Sequence, residues 1–126
     1  MNNLSIFQAN HSHCQVLTKE YQKHIATRQQ FDAQFNENEL VLSEFQRLKP
    51  DAEVYKLVGP ILVKQELGEA VSTVNKRIAF IKDEMDRAEK SIAVSEEKQA
   101  KCRESMANMQ QAFQAKMQAM QAAGGK

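Results

Sequence analysis

The stretch Val54-Tyr55-Lys56-Leu57-Val58-Gly59-Pro60-Ile61-Leu62-Val63-Lys64 sits near the middle of a 126-residue chain. It carries two short runs rich in β-branched and large apolar residues, separated by Gly59-Pro60. Gly59 can adopt positive φ at the first turn position, and Pro60 suits a φ near −65° at the second, so the stretch reads as a β-hairpin closed by a type II′ turn. Leu57 faces Leu62 and Val58 faces Ile61 in that register. An isolated two-stranded hairpin is marginal in water, and the sequence supplies no further strands. The hairpin is therefore expected to pair edge to edge with hairpins of other chains.

Outward from the hairpin, both flanks follow a 3.5-residue apolar repeat. On the C-terminal side it runs Leu67, Val71, Val74, Ile78, Ile81, Met85, Ala88, Ile92, Ser95, Gln99, Cys102, Met106, Met109, Phe113, Lys116 and Met120. Ser95, Gln99 and Lys116 are its polar breaks. On the N-terminal side it runs Phe7, Asn10, Cys14, Leu17, Tyr21, His24, Arg28, Phe31, Phe35, Asn38, Leu42 and Phe45. A sustained heptad seam specifies a left-handed coiled coil. Lys49-Pro50-Asp51 ends the first helix, because proline disfavours α geometry in the residue before it.

The expected fold is thus mostly α: a long antiparallel two-helix coiled coil joined by a central β-hairpin that pairs with hairpins of other chains. We place helix 1 at about 8–49, the hairpin at about 53–65, helix 2 at about 66–120 and a frayed tail at 121–126, all one unit spanning 1–126. The second helix alone would measure roughly 80 Å at 1.5 Å per residue. Folding the chain at the hairpin sets Phe31 near Ala88, His24 near Ser95, Leu17 near Cys102 and Phe7 near Phe113. Asp83 with Arg87, Asp86 with Lys90 and Glu97 with Lys101 are spaced for i,i+4 ion pairs.

Composition narrows the function classes. Tryptophan is absent, aromatics make up 6%, and the formal net charge is +1 with mixed signs along both halves. No basic stripe favours nucleic acid, and no run of 18 apolar residues favours a membrane span. The opening Met1-Asn2-Asn3-Leu4-Ser5-Ile6-Phe7 does not read as a secretory signal. The reducing cytoplasm is then the expected compartment, and Asn3-Leu4-Ser5 and Asn10-His11-Ser12 read as chance glycosylation triplets. Cys14 and Cys102 read as small apolar seam residues, with no bridge between them, because Cys102 is expected to face Leu17. His11-Ser12-His13-Cys14 lacks structural zinc spacing and a fourth ligand, so no metal is expected. Gly59 and Gly68 do not form a phosphate loop. No cofactor and no catalytic constellation are apparent, and the chain is read as not an enzyme.

The run Gly59-Pro60-Ile61-Leu62-Val63-Lys64-Gln65-Glu66-Leu67-Gly68-Glu69-Ala70, with Thr73-Val74 and Lys76-Arg77, resembles the central segment of β-class prefoldin subunits, and is most similar to the eukaryotic subunit-six type. The stretch Arg28-Gln29-Gln30 through Gln34, Glu37-Asn38-Glu39 and Val41 is similar to the same family. The resemblance covers roughly residues 15–115, while the Met-rich tail departs from the family pattern. It implies a heterohexamer of two α-class and four β-class subunits, whose hairpins form a double β-barrel and whose coiled coils hang down as tentacles. It also implies capture of non-native proteins, actin and tubulin chains among them, at the tentacle tips. Delivery to the cytosolic group II chaperonin would follow, without nucleotide.

On that reading Val54, Tyr55, Leu57, Val58, Ile61, Leu62 and Val63 are the oligomerisation residues. Leu4, Ile6, Phe7, Met106, Met109, Phe113, Met117 and Met120 are the client-binding candidates, since flexible, polarizable Met adapts to varied apolar surfaces. Met106, Met109 and Phe113 hold seam positions, so the alternative for those three is that they continue the helix seam; Met117 lies off it. The competing functional class is a structural coiled-coil spacer or tether adaptor in another multiprotein assembly.

Overall fold

The computed structural model describes residues 3–124. Helix α1 spans Asn3–Arg47, strand β1 Val54–Val58, strand β2 Ile61–Gln65 and helix α2 Leu67–Gly124. Both helices are longer than the heptads require. α1 opens about five residues earlier than expected, and α2 runs through most of the expected frayed tail to Gly124. The Ala, Gln, Met and Lys residues of 115–123 are all strong helix formers, which accounts for the continuation. Gly125 and Lys126, the rest of that expected tail, lie outside the described residues.

α1 ends in a tightened turn, with the Leu48 amide donating to the Phe45 carbonyl at 3.2 Å. A β-turn follows, in which the Ala52 amide donates to the Lys49 carbonyl at 2.9 Å with Pro50 at the position its fixed φ favours. The strands pair antiparallel in the register Val54↔Gln65, Tyr55↔Lys64, Lys56↔Val63, Leu57↔Leu62 and Val58↔Ile61. Gly59 carries a φ of 58°, so the two-residue turn rests on the glycine. α2 starts directly after the hairpin, with Glu69 in its first turn, where a carboxylate favours the positive end of the helix dipole.

The residues form two compact units. The central unit is Ala26–Glu89, and the terminal unit combines the residues up to Ile25 with those from Lys90 onward. In the central unit Ala70, Val74, Ile78, Ile81 and Ala88 are buried. Phe31, Phe35, Leu42 and Phe45 of α1 are half-buried. Arg28 donates to the Glu89 carboxylate at 2.6 Å, and the Lys82 ammonium stands 5.6 Å from the Phe35 ring centroid. Arg87 pairs with Glu84 at 3.1 Å rather than with Asp83. Both spacings place a carboxylate on the same helix face as the guanidinium, and three apart serves as well as four.

The terminal unit buries Leu17, Ser95, Gln99 and Cys102. Its seam is markedly polar. Gln99 donates to the Thr18 hydroxyl at 3.3 Å, Tyr21 donates to the Glu96 carboxylate at 3.4 Å, and Asn10 donates to the Ser105 hydroxyl at 3.1 Å. Glu97 and Lys101 form their expected pair at 3.2 Å.

One expectation is overturned here. Cys14 and Cys102 are joined by a disulfide, with Cα atoms 5.8 Å apart. That separation lies in the range a disulfide requires. The expected neighbour of Cys102 was Leu17, one turn along α1. In a coiled coil each seam residue enters a hole formed by four residues of the facing helix, so it has neighbours in two successive turns. The stagger of the helices sets Cys102 beside the turns of Cys14 and Asn10, nearer the start of α1 than the expected pairing with Leu17.

Candidate functional site

Two surfaces are left incomplete, one in each unit. In the central unit the hairpin exposes its apolar side chains on both faces. Tyr55, Leu57 and Leu62 lie on one face; Val58, Ile61 and Val63 lie on the other, as the register and strand alternation require. All six are exposed, and Val54 is half-buried. β1 and β2 form a two-stranded sheet, so the outer edge of each strand carries backbone donors and acceptors with no strand beside them. At the hairpin base the Tyr55 phenol donates to the Glu53 carboxylate at 2.7 Å, and Lys64 approaches the same carboxylate at 3.6 Å. The hydrogen bond to Glu53, with slight desolvation, holds the Tyr55 phenol above its usual pKa of 10.0.

In the terminal unit an apolar groove of about 520 Å³ lies between the start of α1 and the last third of α2. Leu4, Ile6 and Phe7 line it from α1; Met109, Ala112 and Phe113 line it from α2, with Gln110 and Lys116. Leu4, Ile6 and Phe113 are exposed, whereas Phe7 and Met109 are half-buried in the seam. Asn10 links the two helices beside the groove, its amide 3.4 Å from the Met109 sulfur. The eight client-binding candidates therefore divide. Leu4, Ile6, Phe7, Met109 and Phe113 come together in the groove. Met117 and Met120 are exposed on α2 outside it, and Met106 is half-buried in the seam. Heptad counting missed Ala112 and Gln110, because neither holds a seam position. Among the described residues no group of three His, Cys, Asp or Glu side chains is placed to hold a metal ion. No described helix is long and apolar enough to cross a membrane.

Two long helices, a hairpin with open edges and an apolar cleft at the helix ends define a coiled-coil chain that exposes apolar surface at its hairpin and at its helix ends. The sequence profile described as "Prefoldin subunit" matches residues 8–120, and the chain belongs to that family. It is 42% identical over 112 residues to prefoldin subunit 6 of Homo sapiens, covering 89% of this chain and 87% of the human protein. It is 39% identical over 114 residues to the probable prefoldin subunit 6 of Caenorhabditis briggsae, covering 90% and 89% of the two chains. The fold matches the crystal structure of the prefoldin beta subunit from Thermococcus strain KS-1, with a TM-score of 0.74 and 24% identity over 84% of this chain and 90% of that one. Prefoldin subunits are non-enzymatic chaperone components.

Proposed function

We propose that this chain occupies one position in a cytoplasmic heterohexamer of two α-class and four β-class prefoldin subunits. In that assembly it captures non-native proteins of the actin and tubulin type and passes them to the group II chaperonin without consuming nucleotide. Val54, Tyr55, Leu57, Val58, Ile61, Leu62 and Val63 join the hairpins of neighbouring subunits into the β-barrel platform. Leu4, Ile6, Phe7, Met109 and Phe113 hold the client, with Met106, Met117 and Met120 extending the apolar surface.

The observation that carries this reading is the apolar groove at the helix ends. A client segment lying in it would cover apolar surface that the subunit leaves in water, a favourable exchange at about 25 cal/mol per Å². Shallow, Met-containing walls accept many side-chain shapes, as a promiscuous holder needs. A spacer, by contrast, needs ends locked to one partner. The test replaces Phe113, Met117 and Met120 together with Ser and measures suppression of client aggregation by the assembled complex. Loss of suppression with the hexamer intact supports client capture. Suppression equal to wild type removes the helix ends from the mechanism and leaves the spacer reading.

A further inference from the structure

We propose that Cys14 and Cys102 form a reversible oxidation site, a thiol–disulfide staple that reacts with glutathione disulfide and controls whether the two walls of the apolar groove stay joined. The functional consequence rests on the client-groove reading; the chemistry of the pair does not.

The pair stands in a polar stretch of the helix seam. Toward the hairpin its neighbouring cross-helix contact is Gln99 to Thr18, and toward the groove it is Asn10 to Ser105. Ser95 and Gln99 occupy buried seam positions. Polar seam layers lower the stability of a coiled coil. A covalent link in their midst therefore decides how firmly the helices adhere. It also lies close to the groove: Phe7 is two turns before Cys14, and Met109 is two turns beyond Cys102. With the bond closed, the α1 wall and the α2 wall are tethered to one another. With it open, the walls depend on Asn10 and on the Phe7 and Met109 packing.

Accessibility sets the order of the reaction. Cys102 is 6% exposed, whereas Cys14 is half-buried and can be approached from solvent. The Cys14 thiolate attacks one sulfur of glutathione disulfide and releases one glutathione thiolate. The Cys102 thiolate then attacks the Cys14 sulfur of the mixed disulfide and releases the second. One disulfide is broken and one is formed. Two cysteine sulfurs are oxidised, two glutathione sulfurs are reduced, and the two cysteine protons end on the two glutathiones. Disulfides in reducing compartments are characteristically transient or redox-sensing, which fits a bond flanked by polar contacts.

The test equilibrates the 126-residue chain in reduced and in oxidised glutathione buffers, followed by intact mass and amide hydrogen exchange. Oxidised buffer should give a monomer lighter by two hydrogen atoms. Exchange in residues 4–13 and 103–116 should then slow by at least ~10-fold relative to the reduced chain, since a tether suppresses local opening. A Cys14→Ser/Cys102→Ser variant should exchange in both buffers as the wild type does in reduced buffer, and circular dichroism shows whether that variant keeps its helices. Free thiols in oxidised buffer, a stable glutathione adduct, or a disulfide between two chains overturns the proposal. So does an intramolecular bond that leaves exchange unchanged. Both readouts work without client, so their failure is separate from failure of the Phe113, Met117 and Met120 substitutions to alter aggregation suppression.

Discussion

Replacing Leu57 and Leu62 together with Ser should separate assembly from folding. The two side chains face each other across the hairpin and remain 68% and 65% exposed. Full burial of a leucine is worth about 1.5–3 kcal/mol. With two thirds of each side chain still open, a neighbouring hairpin can gain about 1–2 kcal/mol per leucine, or about 2–4 kcal/mol for the pair. The double substitution should therefore weaken association by about 30-fold to about 700-fold. In the free chain only the third already covered is lost, about 1 kcal/mol or less per residue. The helices, whose buried residues are elsewhere, should melt as in the wild type. Native mass spectrometry across a concentration series with the other prefoldin subunits reads the first effect, and circular dichroism of the free chain reads the second. Hexamer formation at wild-type concentrations would refute the assignment of this hairpin to the interface. Loss of helix in the free chain would show instead that the hairpin belongs to the subunit's own core.

Other substitutions probe the rest of the molecule. Ile81→Ala removes a side chain that is 4% exposed and should cost about 2–5 kcal/mol, whereas Phe80→Ala, at a position 61% exposed, should change stability by less than about 0.5 kcal/mol; urea denaturation compares them. Gly59→Ala places a Cβ at a φ of 58° and should destabilise the hairpin by about 1–2 kcal/mol, read as faster amide exchange in Val54–Gln65. In a Tyr21→Phe background, spectrophotometric titration should show Tyr55 ionising above pH 10.0, and Glu53→Gln should bring it back toward that value. The folded-state pKa is raised, so the stabilising effect is fully present below pH 10.0 and fades as pH climbs through the folded-state value.

Most of the fold is legible in the heptads and in Gly59-Pro60. Every α1 seam residue from Phe7 to Phe45 is half-buried or buried, and so is every α2 seam residue from Leu67 to Met109. The hairpin register follows from the two-residue turn, because a turn of fixed length fixes every cross-strand pair. The heptad reading stops describing burial at Phe113. A seam residue is covered only where a facing helix exists. Met120, the last seam residue, lies eighteen residues past Cys102, whereas α1 has eleven residues before Cys14. The same periodicity that marks core in the middle of the chain thus marks exposed apolar surface at its end, and period alone cannot distinguish them. The disulfide was hidden for a related reason. Helical spacing identifies which face a cysteine occupies, but the stagger between facing helices selects which of two neighbouring turns it meets.

The open hairpin has a consequence for the economy of the cell. A copy of this chain without partners carries two strand edges and a patch of Tyr, Leu, Val and Ile side chains in water, features that template unwanted pairing. In the proposed assembly its hairpin stability is a function of partner concentration as much as of sequence. Synthesis in excess of the other subunits would therefore leave orphans that aggregate or are degraded. Steady-state abundance of the chain should follow that of its scarcest partner rather than its own messenger, a balance imposed by eleven residues in the middle of the sequence.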